Sequence, residues 1–246
     1  MGEIVAIKNI ITKLANFRNY PKYIRKINPI SDIWGGIEVR HLLHLQHFNK
    51  HANEMRQKLQ PYYEDYVSSV SKDDQAISLE LAVFLAVLCD ILKPKYIVDF
   101  GSGFSSFVLR FYMKNAINKP VVWSVDDSAE WLNKTNLFLI KHGVSNNNLV
   151  DWDSFIKQNK VKFDLILNDF SVMETRRQRF HEILSVVAHN GVVILDDMHK
   201  FDFAEYVRKS LREYSFKHYS LRLFTKDRFG RYSTILFRQR QHSIIH

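Results

Sequence analysis

The chain has 246 residues, 46% of them hydrophobic, enough apolar material for one large core with an appendage. It contains no run of about 18 apolar residues and no secretory-type N-terminus, so neither a membrane-spanning helix nor a signal peptide is expected. The formal charge is +9, and the one cysteine, Cys89, sits in an apolar run, which excludes a disulfide framework and suits a buried thiol in the reducing cytoplasm.

In chain order, Ile4, Ile7, Ile10, Ile11, Leu14 and Phe17 share one helical arc, opposite Lys8, Thr12, Lys13 and Asn16. Such a helix packs on the main domain, on a second subunit or on a membrane surface. Pro21, Pro29 and Gly35-Gly36 then mark a loop, and the spacing predicts a helix from Ile37 to Leu59 stopped by Pro61. His47, His51 and Glu54 lie at i, i+4, i+7 and share a face compatible with a metal. His41, however, falls on the apolar side with Leu45, Phe48, Ala52 and Leu59, so partly buried or surface histidines are the expectation. Residues 1–75 are read as a helical extension that covers a site or builds a homodimer interface, and 76–246 as the main domain.

From Ile77 onward strand and helix alternate. The pattern predicts helix 77–92, strand 96–100, helix 104–115, strand 121–125, helix 128–141 and a short strand at 148–150. A helix at 153–159 follows, then strand 163–168, helix 174–189, strand 191–195, helix 203–214 and strands 216–224 and 231–238. Alternation of this kind argues α/β: a doubly wound, mostly parallel seven-stranded sheet with helices on both faces. The last two strands, joined around Gly230, should pair as an antiparallel hairpin.

The most informative stretch is Ile97-Val98-Asp99-Phe100-Gly101-Ser102-Gly103-Phe104-Ser105-Ser106. Two glycines allow a tight bend and a close approach of backbone to ligand. Nicotinamide-binding loops carry an apolar residue where Asp99 stands and a third glycine where Ser105 and Ser106 stand. A carboxylate there suits a ligand with an ammonium group better than an anionic dinucleotide.

This acid-x-Gly-x-Gly pattern resembles motif I of the class I S-adenosylmethionine-dependent methyltransferases, and the resemblance runs from about Ile77 to Phe237. It implies the Rossmann-like methyltransferase fold and an S-adenosylmethionine site formed by Asp99, Gly101, Ser102, Gly103 and Ser105. Asp126, ending the second strand, matches the acid that accepts from both ribose hydroxyls, while Asp127 is placed to start the next helix. Asp151 and Trp152 stand where the family contacts adenine, with Asp153 as a second acceptor or a helix cap. Ser78 matches a serine that touches the methionine carboxylate in catechol-type enzymes; helix capping explains it equally well.

Asp169 ends the fourth strand and Asp196-Asp197 the fifth, 27 residues apart. That spacing resembles the ligand spacing of cation-dependent small-molecule O-methyltransferases, and the acid pair resembles that of macrolide-sugar and aminocoumarin enzymes. Carboxylates on neighbouring strands about 4.8 Å apart can converge on Mg²⁺ or another divalent cation. Capping or loop hydrogen bonds are the alternative, but Asp202 to Glu205 already offers a capping box for the next helix. The resemblance departs at the catalytic lysine: Ser171, Val172 and Met173 follow Asp169, leaving His199 and Lys200 as candidate general bases beside Asp169.

The arginines of Glu174–Arg179 either clamp an acidic substrate or line a solvated face. Residues 207–246 hold ten Lys or Arg against Glu213 and Asp227, a basic surplus that attracts nucleic acid, phosphorylated substrates or an anionic surface. No proline-aromatic motif of the amino-methylating type follows Asn168-Asp169. The resemblance thus implies divalent-cation-assisted O-methylation of a small hydroxylated metabolite. An RNA or protein methyltransferase and a non-catalytic cofactor-binding module are the alternatives.

Overall fold

The computed structural model describes residues 29–238; the amphipathic 4–17 segment lies outside them, as do the last basic residues. Two helices open the described chain, α1 (Pro29–Leu42) and α2 (Phe48–Ser69), followed by α3 (Leu79–Leu92). Then come β1 (Tyr96–Phe100), α4 (Phe104–Asn115), β2 (Val121–Val125), α5 (Ala129–Lys141), β3 (Leu149–Val150), α6 (Trp152–Gln158) and β4 (Phe163–Asn168). The remainder is α7 (Met173–Gln178), α8 (Phe180–Ser185), β5 (Val187–Leu195), α9 (Phe201–Ser210), β6 (Phe216–Ser220), α10 (Arg222–Thr225) and β7 (Thr234–Arg238).

Seven strands form one sheet in the order β3-β2-β1-β4-β5-β7-β6. The first five are parallel; β7 inserts between β5 and β6, antiparallel to both. The alternation of side chains along each strand divides the core in two. Ile97, Leu165, Leu167 and Ile194 face one cluster with residues of α2 to α5, whereas Val98, Ile166, Val193 and Leu195 face the other with residues of α6, α8 and α9. The doubly wound expectation holds, with the chain reversing between β1 and β4.

Three local expectations differ. The helix foreseen at 37–59 is two helices, separated at His44 (φ 51°), and Pro61 lies inside α2. Proline costs about 3 kcal/mol in a helix interior; burial of Leu59, Tyr63 and Tyr66 on the same helix offsets it. The helix foreseen at 174–189 breaks at Arg179, and β5 already begins at Val187. Gly191 permits that early start, because a Cβ there would lie 2.7 Å from the Phe163 carbonyl oxygen, beside the register shift of β4 on β5. The C-terminal strands are shorter than foreseen because α10 interrupts their connection.

Candidate active site

The glycine turn after β1 is built by contacts that its sequence partly hides. Asp99 is fully buried, and Ser105 and Ser106 donate to one of its oxygens at 2.9 and 2.7 Å. Its other oxygen has no partner. Burial pushes this carboxyl up to about 7, against the two serine hydrogen bonds and the nearby Arg110. Arg110 is itself buried, donating to Ser124 at 2.6 Å and to the Asn147 carbonyl at 2.9 Å, and burial lowers it to about 10. Asp99 therefore sits beneath the loop as its anchor and does not line the cavity above it.

Gly101 adopts φ 111°, and a Cβ there would stand 2.3 Å from the Asp169 carbonyl oxygen and 2.5 Å from its carbon. The glycine is thus required by the close passage of the loop after β4. The turn carries Ser102, whose N–H and hydroxyl donate to one Asp126 oxygen at 2.7 and 3.0 Å. The other Asp126 oxygen accepts from the Ser128 N–H at 2.9 Å. Each carboxylate oxygen has two lone pairs, so Asp126, at the end of β2, retains acceptor capacity toward the cavity that it lines.

That cavity has a volume of about 460 Å³, within the usual range for small-molecule sites. It lies at the carboxyl ends of β1, β2, β4 and β5, beside the point where the strand order reverses. Gly101, Ser102, Gly103 and Ser105 line it, with Asp126, Asp169, Asp196, Asp197, His199 and Lys200. Tyr66 from α2, the 74–77 segment, Trp131 and Arg231 complete the wall, and none of these carries a sequence signal that marks it as a site residue. Arg231 ties the 71–77 segment in place, donating to the carbonyls of Asp73, Asp74 and Ala76 while paired with Asp227.

Other expected residues stand elsewhere. Ser78 caps α3, accepting from the Leu81 N–H at 3.1 Å, and borders a smaller cavity of about 180 Å³. Asp151, not Asp153, caps α6, accepting from the Ser154 N–H and hydroxyl at 2.8 Å each. Those bonds hold its carboxyl below the usual range. Trp152 packs beside Phe100 and Phe170, with Arg179 lying 4.2 Å over its ring. Neither Asp151 nor Trp152 lines the main cavity. Asp127 does not start α5; Ser128 does, and Asp127 pairs with Arg179.

The acids at the ends of β4 and β5 are arranged around a side chain. Arg176, on α7, is 2% exposed and reaches between them. Its Nη2 lies 2.7 Å from an Asp169 oxygen and 3.2 Å from an Asp197 oxygen, and its Nη1 donates to the Asp196 carbonyl at 3.1 Å. Its Nε donates to the Phe170 carbonyl, and Phe203 lies under the guanidinium. The Asp196 carboxylate accepts from the Ser233 hydroxyl at 2.7 Å. The Asp196 side chain thus has a partner of its own, while Asp169 and Asp197 share the Arg176 guanidinium. Among the described residues no group of three or more His, Cys, Asp or Glu is placed to hold a metal ion. The guanidinium of Arg176 stands where the expected cation would bridge Asp169 and Asp197.

Asp197 has φ 60°, a left-handed conformation that short polar side chains tolerate. Burial raises its carboxyl, but Arg176 and Lys200 (2.8 Å) outweigh this and hold it below the usual range. Burial holds Asp169 well above that range despite Arg176, and Asp196 is likewise raised by burial and by Asp197. Five acids (Asp74, Asp126, Asp169, Asp196 and Asp197) and three cations (Arg176, Lys200 and Arg231) line the cavity, a formal anionic excess. His199 lies 3.5 Å from Asp197, its Nδ1 lacking a hydrogen-bond partner. Burial lowers its pKa, so the imidazole is neutral at neutral pH.

No protein-family model matches the chain, and no curated protein matches it. Solved structures do. The Bacillus cereus O-methyltransferase in complex with S-adenosylhomocysteine aligns at 14% identity with a TM-score of 0.59, over 74% of this chain and 91% of that one. The S-adenosylhomocysteine-bound methyltransferase PaMTH1 of Podospora anserina gives 14% and 0.58, over 78% and 95%. The Streptomyces achromogenes O-methyltransferase TomG, involved in tomaymycin synthesis and bound to S-adenosylmethionine, gives 14% and 0.54, over 73% and 87%. The chain has the fold of these methyltransferases, as the glycine motif and the alternating pattern imply. Among the described residues no helix is long and apolar enough to cross a membrane.

Proposed function

We propose that the chain is an S-adenosylmethionine-dependent methyltransferase acting on an oxygen of a small hydroxylated acceptor. The observation that carries this reading is the anionic cavity at the reversal point of the sheet, bounded by the glycine loop and Asp126. A sulfonium with an ammonium group is cationic and finds compensating carboxylates there. Asp126 accepts from one ribose hydroxyl with the lone pair that Ser128 leaves free on its second oxygen, the first being filled by Ser102. Asp169 faces the ammonium end, and Gly101 to Ser105 supply the close backbone.

The cofactor carries an activated methyl group, so the protein's tasks are in-line alignment and removal of the acceptor proton. His199 is the better base: burial keeps its imidazole neutral and its contact with Asp197 is a long 3.5 Å, whereas Lys200 is engaged by Asp197 at 2.8 Å. The reading routes no step through a divalent cation, because Arg176 occupies the space between the acids. Tyr66 of α2 and the 71–77 segment wall the cavity, which supports reading the described part of the N-terminal region as a cover of the site. The RNA and protein alternatives draw on the basic C-terminus. Within its described part, however, Arg222, Arg228 and Arg231 pair with Asp32, Asp73 and Asp227, which lessens the free charge available to a polyanion.

Calorimetry with S-adenosylhomocysteine tests this. Binding is expected, and Asp126→Ala should weaken it by about 1–3 kcal/mol, the scale of hydrogen bonds to a charged acceptor. Absence of binding at millimolar ligand overturns the reading; unchanged affinity in the variant overturns the ribose assignment. Binding without turnover on any hydroxylated acceptor leaves a non-catalytic module.

A further inference from the structure

A carboxylate cluster at the ends of β4 and β5 would ordinarily need a counter-charge from outside, since buried like charges repel and lose hydration. Here the chain supplies its own. All three nitrogens of the Arg176 guanidinium are engaged: Nε by the Phe170 carbonyl, Nη1 by the Asp196 carbonyl, and Nη2 by the Asp169 and Asp197 carboxylates. A guanidinium cannot deprotonate and is held in a fixed planar fork, so it is a permanent, oriented charge at this point. Octahedral Mg²⁺ needs ligand oxygens at about 2.0–2.1 Å on all sides. With Arg176 in place the space between Asp169 and Asp197 is filled, and one Asp196 oxygen accepts from Ser233 just before β7.

We propose that Arg176 is a built-in replacement for a divalent ion: it holds Asp169 and Asp197 in position, excludes metal from the cluster, and makes the site cation-independent. Arg176 is a positioning residue, acting on the reacting groups through Asp169 and Asp197. The link to methyl transfer rests on the function proposed above. The exclusion of metal does not, and it is measured without cofactor or acceptor, so failure of one is distinguishable from failure of the other.

The test is Mn²⁺ binding, read by the loss of the free-ion paramagnetic resonance signal and by the melting temperature in EDTA and in millimolar Mn²⁺. The wild-type protein is expected to leave the signal intact and to melt at the same temperature in both. Arg176→Ala uncovers two adjacent carboxylates; it should melt lower in EDTA, take up Mn²⁺, and recover several degrees with the ion, as a native-state ligand requires. Arg176→Lys keeps a positive charge and should remain indifferent to Mn²⁺, a contrast that loss of packing alone does not produce. Uptake of Mn²⁺ by the wild type that Asp169→Asn abolishes overturns the proposal, as does an Arg176→Ala protein that folds and ignores the ion. Should Arg176→Ala fail to fold, the wild-type and Asp169→Asn comparison decides alone.

Discussion

Replacing Gly101 by alanine separates two reasons for a glycine in a ligand loop. At φ 111° an added Cβ carries a conformational cost of about 1–2 kcal/mol. It also meets the Asp169 carbonyl oxygen at 2.3 Å and the Phe170 nitrogen at 2.8 Å. Those neighbours are backbone, and they are tied down: the Asp169 N–H donates to the Phe100 carbonyl at 2.6 Å, and Arg176 grips the Asp169 side chain. Relief therefore requires moving the loop, and overpacking of this kind costs about 1–3 kcal/mol. Together these give about 2–5 kcal/mol, or roughly 4–20 °C in melting temperature for a chain of this size. Gly230 is the control: its φ is 80°, but nothing lies within 4 Å of its added Cβ, so only the conformational cost applies. Thermal unfolding followed by circular dichroism, without ligand, should show Gly101→Ala losing clearly more than Gly230→Ala. Equal losses would mean that the close passage of the β4 loop is not what fixes Gly101.

Asp99 and His199 give two pH-dependent expectations. The Asp99 carboxyl is raised to about 7 in the folded chain, so its proton is held more tightly there than in the unfolded chain. Its contribution to stability is complete below about pH 4 and is lost as pH rises to about 7, with a ceiling near 4 kcal/mol. Urea unfolding at stepped pH should show wild type falling relative to Asp99→Asn across that window, and parallel curves would refute it. For His199, whose pKa is lowered, turnover on a hydroxylated acceptor should decline only below the usual histidine range, and His199→Ala should lower kcat by about 10²–10⁴ with cofactor affinity kept. An unaltered pH profile in the variant would assign the base elsewhere.

What was legible in the sequence depended on whether the signal was local. Strand β1, the glycine turn and the start of α4 were readable because apolar run, acid and glycines lie within ten residues and state their geometry together. Asp126 was readable for the same reason, as an acid directly ending an apolar strand. Arg176 was not. The run Glu174–Arg179 holds three arginines, and each step along a helix turns about 100°, so which one faces the acids depends on where α7 starts and on the break at Arg179. That break follows in turn from the early start of β5, which Gly191 permits through a contact with Phe163, 28 residues away. The same holds for Pro61, tolerated because its helix buries Tyr63 and Tyr66 against Phe104 of the motif helix. Sequence spacing placed Asp169, Asp196 and Asp197 at one end of the sheet and resembled a metal cage. The Ser233 partner of Asp196, and the guanidinium between Asp169 and Asp197, are tertiary facts. They make Asp169 and Asp197 partners of a charge that the chain already carries.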